Sequence, residues 1–257
     1  MVPFLQGHSR EVSKVNSGTY AACAGLMAQD QALELAAHNL ANLNTTGYRA
    51  QLPVFRSLLA ARSIEMNPVA AAVNNFGVVE GSRVDLTAGS LEATGNPLDL
   101  GIEGSGFFAV RTGQGTLYTR NGSFQVSAKG QLITANGDTV MGENGPITLP
   151  AGAVSVSGDG TVSVAGSVVG KIRLVQFAPD VTLEAAGDSY YSAPAGTKPL
   201  AGAGSVKQGV LESSNVSPMA AVVGLIAMQR QAEMLQRSLS VFYSEFNRVA
   251  TTDLPKV

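Results

Sequence analysis

Few side chains in this chain could do chemistry, and their spacing builds no site. There are two histidines, His8 and His38, and one cysteine, Cys23. His38 stands four residues after Glu34, so on a helix a carboxylate and an imidazole would share a face, one edge of a metal site. No second cluster of Cys or His joins them, and the pair reads as polar helix surface or an interface contact. A Ser/His/Asp triad would need His8 or His38, yet the chain has no Gly-x-Ser-x-Gly elbow. Gly104-Ser105-Gly106 lacks the spacing of a phosphate loop or dinucleotide fingerprint, and no Lys follows it. Asp138 and Asp159 fall at expected hairpin tips, where Asp serves backbone geometry. Carboxylate pairs are too sparse for glycosidase chemistry. Aromatics and cations do not interleave as a single-stranded nucleic-acid surface requires. The expectation is no enzyme, no cofactor and no metal.

Composition points the same way. At 257 residues the chain can form one large domain or two modest ones. Seventeen Lys+Arg against 19 Asp+Glu give a net charge of −2, which offers nucleic acid no basic field. Only 14% of residues are charged, against about 25% in ordinary soluble domains. So lightly charged a surface suggests burial by neighbours, or else a small Gly-, Ser- and Val-rich β protein. Cys23 has no second cysteine to pair with and sits in an Ala-rich stretch, where it reads as a small packed hydrophobe. No apolar run of about 20 residues could cross a bilayer. The start, MVPFLQGHSR, shows no apolar signal-peptide core. Residues 1–16 match no pattern and are expected to be a flexible extension.

The elements that would have to position any site are two long terminal helices with short strands between them. Over residues 219–246, Leu225, Met228, Ala232, Leu235, Leu239, Phe242 and Phe246 alternate spacings of three and four, the a/d seam of a heptad, which wants a partner helix. Residues 19–43 offer one, with Leu26, Leu33, Ala36, Leu40 and Leu43 along one face. This first helix is expected from Ser17, as N-cap, to about Leu43, ending in an Asn-rich turn at Gly47. A short helix is expected over 54–62 after Pro53, and a connector over 64–83. From 84 to 210, turn dipeptides recur at Asn121-Gly122, Asn136-Gly137, Asn144-Gly145 and Asp159-Gly160. Runs such as Val154-Ser155-Val156 and Thr161-Val162-Ser163-Val164 alternate as a hairpin with one buried face. Further strands are expected over 107–110, 131–134 and 171–177. The fold class is thus mixed α and β: coiled-coil-type terminal helices packed together, with an inserted antiparallel β-rich, barrel- or sandwich-like domain. The segments are 17–63 (N-terminal helical), 84–210 (β-rich) and 211–257 (C-terminal helical). Ser217 and Pro218 read as N-cap and first residue of the last helix, and Glu233 and Arg237 as an i, i+4 pair on its exposed face.

Three stretches carry a resemblance. The first runs Asn39-Leu40-Ala41-Asn42-Leu43-Asn44-Thr45-Thr46-Gly47-Tyr48-Arg49, a helix ending in an Asn-rich, Gly-containing turn and then an aromatic and a base. The second contains Gly95, Asn96, Pro97, Asp99, Gly104 and Gly106, continues through Phe107 and Phe108, and reaches Tyr118-Thr119-Arg120-Asn121-Gly122 and Gly130-Gln131-Leu132. The third is Gly209-Val210-Leu211-Glu212-Ser213-Ser214-Asn215-Val216, followed by Gln229-Arg230 on the last helix. In this order they resemble the axial rod and hook proteins of the bacterial flagellum, over nearly the whole chain after residue 17. The chain departs from that pattern at Ala232, where the family places an aromatic, and lacks acidic residues near Ala220 and Ala221.

The resemblance implies a self-assembling structural subunit of the basal-body rod. Its partners would be further copies of itself, other rod proteins and the flagellum's own type III export apparatus, with no nucleic acid and no membrane insertion. Its place would be the rod that crosses the cell envelope. The short length and the tail Arg49-Ala50-Gln51 suggest the proximal rod; a distal-rod or hook subunit is the near alternative. A secreted β-rich adhesin or carbohydrate-binding module would also explain the hairpins, without requiring the heptads. Leu26, Leu33, Leu40, Leu225, Met228, Leu235, Leu239, Phe242 and Phe246 are the expected assembly seam, although one intramolecular helix pair would satisfy both stripes. Isolated helices are marginal in water, so the termini are expected to fold fully on assembly.

Overall fold

A computed structural model of the chain describes residues 8–57 and 77–252. The chain divides into two compact units, one containing the described parts of 1–38, 53–82 and 219–257, the other 39–52 and 83–218.

The first unit is built on two helices, α1 (His8–Ala41) and α2 (Pro218–Thr252). α2 begins on Pro218, as its missing N–H and fixed φ favour. α1 begins earlier than the expected Ser17: residues 8–16, assigned to a flexible extension, are helical. Arg10, Glu11 and Lys14 are good helix formers, and the chain has no proline between Pro3 and Pro53 to stop them. Where the helices meet, Gly25, Ala28 and Ala32 on α1 and Ala232 on α2 are buried, so small residues face one another. Gln29 crosses the contact, its Nε2 donating to the Met228 carbonyl at 3.1 Å. Cys23 is exposed and not the packed hydrophobe expected, because it lies on the side of α1 away from Ala28 and Ala32.

Two strands replace the expected short helix and part of the connector. β1 (Gln51–Ser57) pairs with β2 (Gly77–Val84) in a two-stranded sheet. Val54 and Phe55 favour strand, and a two-stranded sheet consists only of edges, where Pro53 is tolerated. Residues 58–62 of that expected helix, and 64–76 of the connector, lie outside the described residues.

The second unit is a large antiparallel β domain. Its main sheet runs β15 (Glu184–Ala185), β16 (Tyr190–Ser192), β6 (Gly115–Thr119), β5 (Phe107–Thr112), β9 (Thr139–Gly142), β8 (Leu132–Thr134), β7 (Phe124–Val126). β10 (Gly145–Pro146) adds to β9, while β14 (Leu174–Gln176) joins β5 to β17 (Leu200–Ala201). The alternating runs around Asp159-Gly160 form the expected hairpin: β11 (Val154–Val156) pairs with β12 (Thr161–Val164) in the register Val154↔Val164, Val156↔Val162. β13 (Ser167–Lys171) completes that sheet. The strand expected over 171–177 is therefore split between β13 and β14. Two further pairs, β4 (Leu100–Glu103) with β18 (Ser205–Gln208) and β3 (Leu91–Ala93) with β19 (Val210–Glu212), bring distant parts of the chain together.

β5 carries the core on both faces. Phe108 and Val110 pack with Leu100, Phe124, Val162 and Ile172, while Phe107 and Ala109 pack with Tyr118, Val175 and Tyr191. The run Phe107-Phe108-Ala109-Val110 is the unbroken apolar signature of such a doubly buried strand.

Candidate functional site: a buried ionic junction

Three charges are sealed inside the β domain. Arg49, Arg120 and Glu212 expose 1%, 3% and 1% of their surface. Glu212 sits between the two bases: its Oε1 accepts from Arg49 Nη2 at 2.5 Å and its Oε2 from Arg120 Nη1 at 3.0 Å. Oε1 also accepts from the Gly89 backbone at 2.9 Å. Arg120 has further acceptors in the carbonyls of Ile102 (3.1 Å) and Gly104 (2.6 Å), and its guanidinium lies 5.5 Å from the centre of the Phe107 ring. Burial pulls the Arg120 pKa down, and the Glu212 charge opposes that pull. Desolvation of such a cluster is costly, and its pairing together with these backbone hydrogen bonds offsets the cost.

The backbone around the triad is fixed with equal care. Gly47 donates its N–H to the Glu212 carbonyl at 2.7 Å. It has φ +67, and a Cβ built there would stand 2.2 Å from the Asn121 nitrogen; only glycine offers both the conformation and the space. Tyr191 reaches the same point, its hydroxyl accepting from the Arg49 N–H at 2.9 Å and donating to the Gly47 carbonyl at 3.3 Å. Burial holds the Tyr191 pKa far above the ordinary phenol value, although Arg49 draws it the other way.

Asparagines close the perimeter. Asn39, in the last turn of α1, accepts from the Tyr48 hydroxyl and the Gln51 N–H, both at 2.9 Å, and donates to the Gln51 carbonyl at 2.8 Å. Asn42 accepts from the Thr45 side chain at 3.0 Å. Asn215 accepts from the Ala50 N–H at 2.7 Å and donates to the carbonyls of Asp85 and Thr87. Asn96 caps its own turn by bonding Asp99, and Pro97 accepts from Gln208 at 2.7 Å. Gly95, Gly104 and Gly106 all have positive φ. Asn44 is exposed, and Gln229 and Arg230 are exposed on α2.

Of the expected assembly seam, Leu26, Leu33, Leu40, Leu225, Met228, Leu235 and Leu239 are half-buried; the side chains of Phe242 and Phe246 lie outside what is described. Among the described residues no group of three or more His, Cys, Asp or Glu could hold a metal ion, and no helix is long and apolar enough to cross a membrane. His38 is exposed. Asp159 accepts from both the N–H and the hydroxyl of Thr161, the backbone role expected of it.

Sequence reasoning quoted Arg49, Arg120 and Glu212 inside its motifs without singling them out as a unit. The sequence offered only a faint signal, opposite charges within the motifs of a lightly charged chain, and nothing in their spacing pairs them.

Comparison with known proteins separates the same three stretches. Residues 20–49 match the family described as Flagella basal body rod protein, residues 101–164 the Flagellar hook protein FlgE/F/G D1 domain, and residues 207–242 the Flagellar basal body rod FlgEFG protein C-terminal. The flagellar basal-body rod protein FlgF of Escherichia coli is 35% identical over 79% of this chain and 85% of its own length. The chain belongs to the flagellar basal-body rod family. FlgF of Caulobacter vibrioides is 32% identical over 95% of this chain and all of its own length. The rod protein FlgG of Agrobacterium fabrum is 34% identical over 83% and 90%. Arg49, Arg120 and Glu212 each come from a different one of the matched segments, so the triad is the place where the family's three signatures meet.

Proposed function

We propose that this chain is a structural subunit of the bacterial flagellar rod, a shaft that transmits torque through stiff packing and needs no catalytic residue or cofactor. The observation that carries this reading is the convergence of the three rod-family segments on one buried junction. A shaft subunit must pass load between its terminal segments, and a desolvated, multiply bonded node has few soft degrees of freedom. In the assembled rod the terminal helices pack as coiled coils with those of neighbouring subunits, and the β domain forms a barrel-like outer layer. The chain's partners are further copies of itself and other rod proteins, reached after export by the flagellum's own apparatus. Among rod positions we assign the proximal one, on the short length and the tail Arg49-Ala50-Gln51; FlgF and FlgG relatives align with the chain about equally well.

Deleting the gene and imaging basal bodies tests this. Arrest before the distal rod, reversed by the intact gene, is the expected result. Complete, rotating flagella in the deletion strain would overturn the reading, and arrest only at the hook would move the subunit to the distal rod.

A further inference from the structure

The β domain holds a cavity of about 190 Å³ where the turn after α1 meets the ends of β6 and β8 and the hairpin between β15 and β16. One wall is the tip of that hairpin, where Gly187, Asp188 and Ser189 all have positive φ, +83, +48 and +59. Two consecutive non-glycine residues in the left-handed region are costly, and such strain gathers where a ligand is clamped. The tip is tied down on both sides. The Ser189 carbonyl accepts from the Thr119 hydroxyl at 2.8 Å, and the Tyr190 N–H donates to the Gly187 carbonyl at 2.7 Å. The Tyr190 hydroxyl donates to Asp138 and accepts from Thr134, both at 2.8 Å. The Ser189 hydroxyl is the exception. Ser189 lines the cavity and exposes only 9% of its surface, yet its Oγ has no hydrogen-bond partner. A buried hydroxyl left unpaired is costly, and a ligand in the cavity would complete it.

The lining selects the ligand. Among the described residues no Lys, Arg or His lines the cavity, so an anion finds no counter-charge there. Asp188 is the one carboxylate among them, too few for a hard cation that takes about 6–8 oxygen ligands. The hydroxyls of Thr45 and Ser189 and the carboxamides of Asn121 and Asn136 line it too. Each of these groups both donates and accepts, as the ring hydroxyls of a sugar do. Cavities for drug-sized ligands run to about 300–1,000 Å³, so this one has room for a single ring. We propose that the cavity binds one pyranose ring of a neutral saccharide, with the Asp188 carboxylate accepting from ring hydroxyls and the Ser189 hydroxyl completing its bonding on the same ring. The clamp is separate from the helical seams, and Asp188 to Tyr190 lie outside all three family-matched segments.

Titration of the isotope-labelled full-length chain with D-glucose, D-galactose and N-acetyl-D-glucosamine, followed by backbone amide NMR signals, tests this. At least one sugar should shift the Asn121, Asn136 and Ser189 signals saturably in the millimolar range, while sodium phosphate and methylguanidinium should not. Asp188→Asn should weaken that binding about tenfold, the loss of one charge-assisted hydrogen bond. Ser189→Ala should weaken it about fivefold. Asp188 is exposed and asparagine tolerates the left-handed conformation, so Asp188→Asn should keep the parent's far-ultraviolet spectrum and unfolding midpoint. It decides the matter even where Ser189→Ala fails to fold. Saturation by none of the three sugars overturns the site. An Asp188→Asn chain that binds sugar as tightly as the parent overturns it too. So does methylguanidinium saturating the same signals as tightly as any sugar, which would make the cavity a pocket for a basic side chain.

Discussion

The β domain and the helical unit treat their surfaces in opposite ways. In the β domain, apolar side chains alternate inward on two sides of β5, and even three charges are enclosed and paired with one another, although Arg49 Nε and Nη1 and Arg120 Nε are buried without a hydrogen-bond partner. In the helical unit, α2 leaves valine, isoleucine and methionine exposed from Met219 to Val241, along an outer stripe. One part is finished as a single copy, and the other is not. A domain that must hold its shape while transmitting force gains from charges paired inside it, while an assembly element gains from surface it has not yet buried.

The sharpest way to break this contrast is through Glu212. Glu212→Ala strands Arg49 and Arg120 without a counter-charge, and removing one partner of a buried pair costs about 3–5 kcal/mol. Denaturant unfolding of the β domain should show that loss. Replacing the whole triad by apolar residues (Arg49→Met, Arg120→Leu, Glu212→Leu) should recover most of it, because no charge then remains buried. A Glu212→Ala protein as stable as the parent would show that the triad is not the closed node described here.

Gly47→Val comes next. Valine at φ +67 is strained by about 1–3 kcal/mol, and its Cβ would collide with the Asn121 backbone. The expected outcome is a β-domain midpoint lowered by at least that amount, together with impaired rod assembly in cells. Smaller again is Tyr191→Phe, which removes the hydroxyl between Gly47 and Arg49 and should cost about 1–3 kcal/mol. It also carries a pH signature. The folded Tyr191 pKa is raised above its ordinary 10.0, so its contribution is complete below that pH and is lost as pH rises beyond it. The parent should therefore lose stability in alkali more steeply than Tyr191→Phe. Tyr48 and Tyr190, raised by burial in the same direction, supply the slope that persists.

Much of this could be read from the chain. The terminal helices, the hairpin at Asp159-Gly160 and the start at Pro218 follow from period, turn chemistry and capping, which are local. Residues 8–16 were misread because a helix can extend with no apolar stripe to announce it. Residues 54–57 were misread because Pro53 opens a helix as readily as it sits on an edge strand, and only pairing with β2 decides between them. The triad was illegible as a unit for a different reason. Arg49 and Glu212 lie 163 positions apart, and nothing local says that two charges so distant will share a buried site. Family resemblance named the three segments, but only folding showed that they touch. The seam on α2 was legible, and its opposite stripe was not, because the search for one apolar face ends when it finds one.

That second stripe gives the smallest expected effect on a single copy and the cleanest contrast with the first. Leu235 is half-buried on the side of α2 shared with Ala232, so Leu235→Asp places a charge against packed side chains and should lower the helical melting midpoint by the equivalent of about 1–3 kcal/mol. Ile226 is exposed on the other side. Ile226→Asp alters a side chain that is 46% exposed in one copy and should cost clearly less, about 0.5 kcal/mol. Melting of the far-ultraviolet helical signal in dilute protein compares the two directly. Equal losses would mean that the outer stripe is already covered within one copy, and the division between a finished domain and an unfinished one would disappear. A loss confined to Leu235→Asp, with Ile226→Asp failing only where copies must meet, would place the boundary between folding and assembly across the width of a single helix.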